Sequence, residues 1–320
     1  MQRQALVIGA TGGIGGATAA ALLAHGWTVR AMTRDPDSAR RARARVEDIE
    51  WVRGDALSAS DVQRAAVGAT LVVHGANPLK FRNWGGLQLP MLESSIAAAQ
   101  AVGARLVFPG TVYNYGPDAF PRLGERSPQQ PHTRKGAIRV AMEQRLERAA
   151  REGVPVLIVR AGDYFGAHSQ SSWFSQALVK PGRPIRSVTY PGNPDVGHAW
   201  AYLPDLGETI ARLVEPRAAL ADFEVFHFGG HWLERGIEMA EATLRAAGAR
   251  GAPVRRFPWL AVHALAPFVE TFREMLEMRY LWEVPVRLDN TKLLSFLGEE
   301  PHTPLEQALR QTLSSLGCLC

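Results

Sequence analysis

Cysteine is nearly absent: the 320 residues hold two, Cys318 and Cys320, both at the C-terminal end. Two thiols so placed build neither a disulfide framework nor a four-ligand metal site, and such sparing use suits a reducing, cytoplasmic compartment. Long apolar runs are missing as well. No charged leader followed by an apolar stretch precedes the first strand-like segment. The most apolar late window, Pro258 to Val269, is interrupted by His263 and Pro267 and is too short to span a bilayer; it reads as a buried or lid helix. Charge of one sign is not in strong excess, because 36 Lys and Arg against 31 Asp and Glu leave +5, spread over a large surface. The densest basic run, Arg40 to Arg45, reads as the solvated face of a short helix. The expected partner is therefore a small molecule, with no nucleic acid and no membrane. Single histidines such as His74, and the pair His227 and His231, lack companions at ligand spacing, so no metal is assigned. No fixed-period repeat is present either.

What the chain does have is a rhythm. Short β-branched runs at Ala5–Gly9, Thr28–Thr33, Ile49–Arg53, Thr70–His74, Arg105–Pro109 and Pro155–Arg160 alternate with helix-period segments at Ile14–His25, Ser60–Ala66, Met91–Ala101 and Gly136–Arg151. Such alternation predicts an α/β fold, a doubly wound parallel sheet with helices on both faces, and Glu224–Phe228 supplies one more strand. After Arg160 the texture changes: residues 162–197 are rich in Gly, Pro and aromatics, and the chain beyond Gly229 is helical. The expected division is a dinucleotide-binding part at residues 1–165 with 198–230 returning to it, and a smaller α-rich substrate cap made of 166–197 and 231–320.

One loop carries the most specific chemistry. Gly9-Ala10-Thr11-Gly12-Gly13-Ile14-Gly15 follows a strand and opens a helix, the context in which a glycine pattern marks a dinucleotide site. Gly9 permits the turn, Gly12 lets the backbone approach a diphosphate, Gly15 allows helix and sheet to close, and the free N–H groups with the helix dipole attract the phosphates. No Gly-Lys-Ser/Thr follows, which excludes a mononucleotide P-loop. Arg34, rather than an acid, stands at the end of the second strand, which favours the 2′-phosphate of NADP over NAD; neighbouring Asp35 is the counter-argument. Asp55, after Gly54, is placed to accept from an adenine amino group or to cap the next helix.

The Gly9-x-x-Gly12-x-x-Gly15 spacing, Gly54-Asp55, His74-Gly75-Ala76, Tyr115-Gly116, Arg160-x-Gly162-Asp163-Tyr164-Phe165-Gly166 and the tail Asp289-Asn290-Thr291-Lys292 resemble the extended short-chain dehydrogenase/reductases, the group with the NAD-dependent epimerases and dehydratases. The resemblance implies a Rossmann fold, cofactor contacts at Gly9, Thr11, Gly12, Gly13, Ile14, Gly15, Gly75 and Ala76, and a catalytic hydroxyl at Thr111, four residues before Tyr115-Gly116. It also implies a Tyr-x-x-x-Lys pair, and here the chain departs: Lys135 stands for the tyrosine and Arg139 for the lysine, with Glu143 in place. Arg139 keeps the donors to reach a nicotinamide ribose. The proton is left to Lys135, if burial lowers its pKa, or to Tyr113 on the preceding loop. Asn77, Trp84, Tyr113, Tyr164, Trp173, His198 and Trp200 are the expected substrate neighbours, an aromatic set that favours a moderately apolar substrate. The expected function is NADP-dependent hydride transfer to or from a carbonyl or activated alkene. The rivals are an epimerase or dehydratase with tightly held NAD(P), and a sensor that binds NADP without turnover. Met91–Ala101 and Gly136–Arg151 would form a dimer seam by the same resemblance, and a monomer is equally compatible.

Overall fold

The computed structural model describes residues 3–42, 48–78, 83–215 and 220–319, so part of the basic run, Arg43 and Arg45, and Cys320 lie outside the described residues. Strands β1 (Gln4–Ile8), β2 (Thr28–Thr33), β3 (Ile49–Arg53), β4 (Leu71–His74) and β5 (Arg105–Thr111) come first, followed by β6 (Arg122–Leu123), β7 (Val156–Ala161), β8 (Asp163–Phe165), β9 (Val188–Tyr190), β10 (His198–Tyr202), β11 (Phe223–His227), β12 (His231–Leu233), β13 (Val254–Arg256) and β14 (Arg287–Leu288). Helices are α1 (Gly13–Ala24), α2 (Pro36–Ala42), α3 (Ala59–Ala66), α4 (Trp84–Val102), α5 (Arg134–Arg151), α6 (Leu203–Val214), α7 (Ile237–Ala246), α8 (Trp259–Leu265), α9 (Glu270–Glu277), α10 (Thr291–Leu297) and α11 (Leu305–Ser315). Among the described residues no helix is long and apolar enough to cross a membrane.

The central sheet is parallel, in the order β3-β2-β1-β4-β5-β7-β11. Its inner strands are apolar on both faces because helices cover both, and the buried apolar runs Ala5 to Ile8 and Val156 to Val159 follow from that. The strand order reverses between β1 and β4, so their carboxyl ends open a crevice there. On one face α1 packs against α6 so closely that a Cβ on Gly207 would sit 2.7 Å from the Ala17 carbonyl carbon. On the other, α3, α4 and α5 bury Val62, Leu92, Ile96, Met142 and Leu146.

A second core lies beyond the carboxyl ends. It gathers Phe165, Trp173, Phe174, Trp200 and Trp282 under α7 and α11, around the small sheet β8-β10-β12. Two segments cross the division expected from the sequence. β10 belongs to this small sheet rather than the central one, and Leu293, Phe296 and Leu297 of α10 pack into the core beside β11. The apolar window 258–269, expected as a buried or lid helix, is not a buried one: Leu260 is 88% and Phe268 84% exposed, while Val262 and Ala266 are buried and Trp259 packs partly buried against the second core.

Candidate functional site

At the crevice the backbone does the work of side chains. Gly9 is left-handed at φ +86°, and a Cβ there would overlap the Gly75 carbonyl oxygen. One on Gly15 would overlap the Gly9 carbonyl oxygen, and one on Gly75 would stand 3.1 Å from Gly15 Cα. Three backbones thus meet where any larger residue would hold them apart. Gly12 caps α1 without a side chain, Gly13 and Ile14 form its first turn, and no acid sits in that turn; the amino end therefore faces the crevice with its dipole unopposed. Thr11 is exposed beside it. Arg34 is exposed at the end of β2 and makes no hydrogen bond or ion pair among the described residues. The Asp35 carboxylate accepts instead from Ser38 N–H at 3.0 Å, which ties it to α2. Asp55 accepts from Leu57 N–H at 3.0 Å while Ser58 caps α3.

At the far side of the crevice the end of β5, the turn after it and α5 deliver the reactive side chains. Thr111 Oγ1 ends β5 and accepts from Tyr113 N–H at 3.3 Å, leaving its own proton to donate. Tyr113 faces a narrow cavity lined also by Lys135, Ser171, Trp173, Gln176, Glu274, Met275 and Met278. Burial, then the Asp163 charge, raises its phenol pKa, so the hydroxyl keeps its proton. Gly136 lets α5 touch this loop, since a Cβ there would overlap the Tyr113 carbonyl oxygen. Arg139, one turn on from Lys135, lies between the rings of Trp84, at 5.2 Å, and Phe108, at 5.3 Å. Its buried Nε has no partner, and no ion pair meets its guanidinium among the described residues. Lys135 is committed elsewhere. Its Nζ lies 3.0 Å from a Glu274 carboxylate oxygen and donates to the Glu274 carbonyl at 3.0 Å. Burial lowers its pKa, against the raising effect of Glu274.

A sequence model of the NAD dependent epimerase/dehydratase family matches residues 5–229. The chain belongs to this family. A curated relative, an uncharacterized protein of Sinorhizobium fredii, is 28% identical over 217 residues, 59% of this chain and 60% of that protein, so the chain matches less than two thirds of its length. Among solved structures, the UDP-glucuronic acid 4-epimerase of Bacillus cereus, in complex with NAD, superposes with a TM-score of 0.76 at 16% identity, covering 98% of both chains. The UDP-glucose-4-epimerase of Stenotrophomonas maltophila, with bound NAD and formylated UDP-arabinopyranose, gives 0.74 at 17% identity, covering 99% of this chain and 98% of that one. At these identities the likeness shows the epimerase/dehydratase fold.

The remaining candidates fall into two groups. Asn77 Oδ1 accepts from Trp84 Nε1 at 2.8 Å and from Gln88, which fixes the wall beside Arg139. Tyr164 donates to the Gly110 carbonyl at 2.9 Å, and burial pushes its phenol up to about 12 despite Arg139. Ala76 packs against the α3–α4 face. Trp173 lines the cavity, whereas Trp200 is fully buried behind it, against Phe165, Phe174 and Trp282. His198 also stands behind the cavity, 2.8 Å from Asp163 and stacked on Trp282 at 4.1 Å.

Several site residues escaped the sequence reading. Glu270, Glu274 and Glu277 share one face of α9 and accept, in turn, from Asn83 N–H, the Lys135 amine and Lys135 N–H. Carboxylates thus meet the amino ends of α4 and α5, where the helix dipoles favour them. In sequence, acids at this spacing read only as a solvated stripe. Behind the site, Arg160 forms a bidentate pair with Glu143 and donates to His227 Nε2 at 3.1 Å, while His227 Nδ1–H donates to the Leu123 carbonyl. Both ring nitrogens are thereby assigned in the neutral form, and burial, then Arg160, lowers the His227 pKa to about 3. His74 reaches about 3 by burial, then Arg139; its Nδ1 meets Ser95 Oγ at 2.7 Å. Among the described residues no His, Cys, Asp and Glu group could hold a metal.

Proposed function

We propose that this epimerase/dehydratase-family chain is an NADP-dependent oxidoreductase that moves hydride to or from a carbonyl or activated alkene of a small, moderately apolar substrate. The observation that carries the reading is the meeting, beyond the end of β5, of Arg139, whose buried Nε has no hydrogen-bond partner, with Tyr113, a phenol held protonated.

The residues present fit a nicotinamide dinucleotide. The Gly9, Gly15 and Gly75 cradle leaves no volume for side chains, and the orphaned Arg139 Nε is a donor suited to ribose hydroxyls. When bound, the dinucleotide supplies the hydride donor or acceptor. Gly13 and Ile14 offer backbone N–H groups to its diphosphate, with Gly9, Thr11, Gly12, Gly75 and Ala76 shaping the crevice around it. Arg34 pairs with a 2′-phosphate, Asp55 turns toward the adenine, and Arg139 holds the nicotinamide ribose. Thr111 donates its hydroxyl proton to the reacting oxygen, and Tyr113 hands its proton to that oxygen in the reducing direction. Lys135 is a lid anchor rather than the acid, because its amine is held by Glu274. Asn77, Trp84, Tyr164 and Trp173 wall the substrate, with His198 and Trp200 buttressing that wall.

NADPH absorbance followed against a panel of ketones, enals and enones tests the reading. Turnover of at least one is expected, and binding without turnover across the panel would overturn it in favour of a sensor. The fold shared with NAD-holding sugar epimerases favours one second reading, epimerisation with a retained cofactor; inversion of a UDP-sugar without net NADPH loss would select it.

A further inference from the structure

The hydride-transfer reading leaves one conspicuous surface unused. In the segment Leu260 to Val269, Leu260, Ala261, His263, Ala264, Leu265, Pro267, Phe268 and Val269 are all exposed. The segment contains no Asp, Glu, Lys or Arg. Leu260 at 88% and Phe268 at 84% are the two most exposed large apolar residues among those described. Isolated exposed leucines need no explanation, but a contiguous apolar face does.

A second observation lies alongside it. Phe257 and Pro258, which lead directly into α8, line an open groove of about 640 Å³ together with Lys180, Arg183, Arg186 and Arg255. No acidic residue lines this groove, and none of the four cationic side chains has an ion pair among the described residues. Elsewhere the surface pairs its charges freely, as in Arg145 with Glu93 and Arg212 with Glu208. Unpaired cations at the base of an apolar prominence fit one partner chemistry: a surface with anionic headgroups outside and hydrocarbon beneath.

We propose that the 260–269 prominence docks the protein on an anionic phospholipid bilayer, with Leu260, Leu265 and Phe268 in the headgroup–acyl boundary and Lys180, Arg183, Arg186 and Arg255 on lipid phosphates. Docking of this kind lies on the membrane and does not cross it, which agrees with the absence of a spanning helix among the described residues and departs from the expectation of no membrane partner. It also has a consequence for access. The segment continues into α9, where Glu274 and Met275, with Met278 just beyond its end, line the Tyr113 cavity. The cap element that would meet the bilayer is therefore the one that roofs the cavity, and an apolar substrate dissolved in lipid would arrive beside it. The proposal does not rest on the cofactor reading.

Co-sedimentation of the purified full chain with vesicles tests it, comparing pure phosphatidylcholine with equal parts phosphatidylcholine and phosphatidylglycerol. Binding to the anionic vesicles alone, weakened by high salt, is expected. Leu260→Ser with Phe268→Ser should abolish it without altering thermal melting, since both side chains are already in water. Arg183→Glu with Arg186→Glu should weaken it by about tenfold or more. Failure to bind anionic vesicles, or binding that survives the serine pair, would overturn the proposal. So would a concentration-dependent dimer dissolved by the same serine pair, which would assign the face to a second copy of the chain.

Discussion

Gly9 and Gly182 both hold left-handed backbone, at φ +86° and +77°. At Gly9 a Cβ would overlap the carbonyl of Gly75, whereas at Gly182, in the cap, nothing lies within 4 Å. The pair stands for the two halves of the molecule. The sheet half makes its site by removing side chains, so that three backbones converge on the amino end of α1. The cap makes its site by adding them, with Trp173 lining a cavity beside Met275 and Met278, and Trp282 and Trp200 packed edge-on behind Trp173. A site made of missing side chains is local in sequence and tolerates no substitution; one made of large side chains is drawn from distant segments and can be repacked.

The largest effect expected is on chemistry at the boundary between the halves. Tyr113→Phe should slow single-turnover hydride transfer by about 100- to 10,000-fold while dinucleotide affinity holds. Lys135→Met should leave that rate within about tenfold, because the amine anchors α9 rather than the reacting oxygen. If Lys135→Met were the slower of the two, the acid would belong to α5.

Next in size is a pH effect housed in the sheet half. His74 and His227 are buried, with pKa values near 3 against an ordinary value of 6.5. The folded chain keeps both neutral while the unfolded chain protonates them below 6.5, so stability is full above that pH and falls as pH drops toward 3. Each should cost about 2 kcal/mol near pH 5. Urea midpoints at neutral pH and near pH 5 measure the sum, to which buried His231, lowered to about 4, adds a similar amount, so His227→Gln should shrink the difference by about a third.

The glycine pair itself gives the sharpest contrast. Gly9→Ala is expected to destabilise by about 3 kcal/mol or more, adding overlap to backbone strain, and Gly182→Ala by only about 1 kcal/mol, from strain alone. Equal losses in chemical denaturation would dissolve the distinction between the halves. Smallest is Arg34→Ala, which should weaken NADPH binding by about tenfold and leave NADH unchanged; an equal loss for both would remove the 2′-phosphate contact.

The same contrast explains what the sequence made readable. The sheet half announced itself through alternation and the Gly9 to Gly15 loop, because each strand and turn is specified within a few residues. Lys135 was seen to occupy the position of the expected tyrosine, yet its partner Glu274 lies 139 residues away, beyond any local pattern. His198 was named for its place in an aromatic loop, while its 2.8 Å contact with Asp163 depends on the pairing of β8 with β10. The apolar window 258–269 reads in sequence as a buried or lid helix, and the buried alternative fails. Apolarity reports what a segment can bury, not what it finds to bury against, and here Trp259, Val262 and Ala266 find the core while Leu260 and Phe268 do not.

The central claim is that the glycine-stripped amino end of α1 seats a dinucleotide diphosphate. Isothermal titration of the purified chain with NADPH, NADP, NADH and NAD tests it most directly. The account predicts saturable one-to-one binding, strongest for the phosphorylated pair and abolished by Gly15→Val. Absence of binding by all four, or full binding by the Gly15→Val chain, would contradict it.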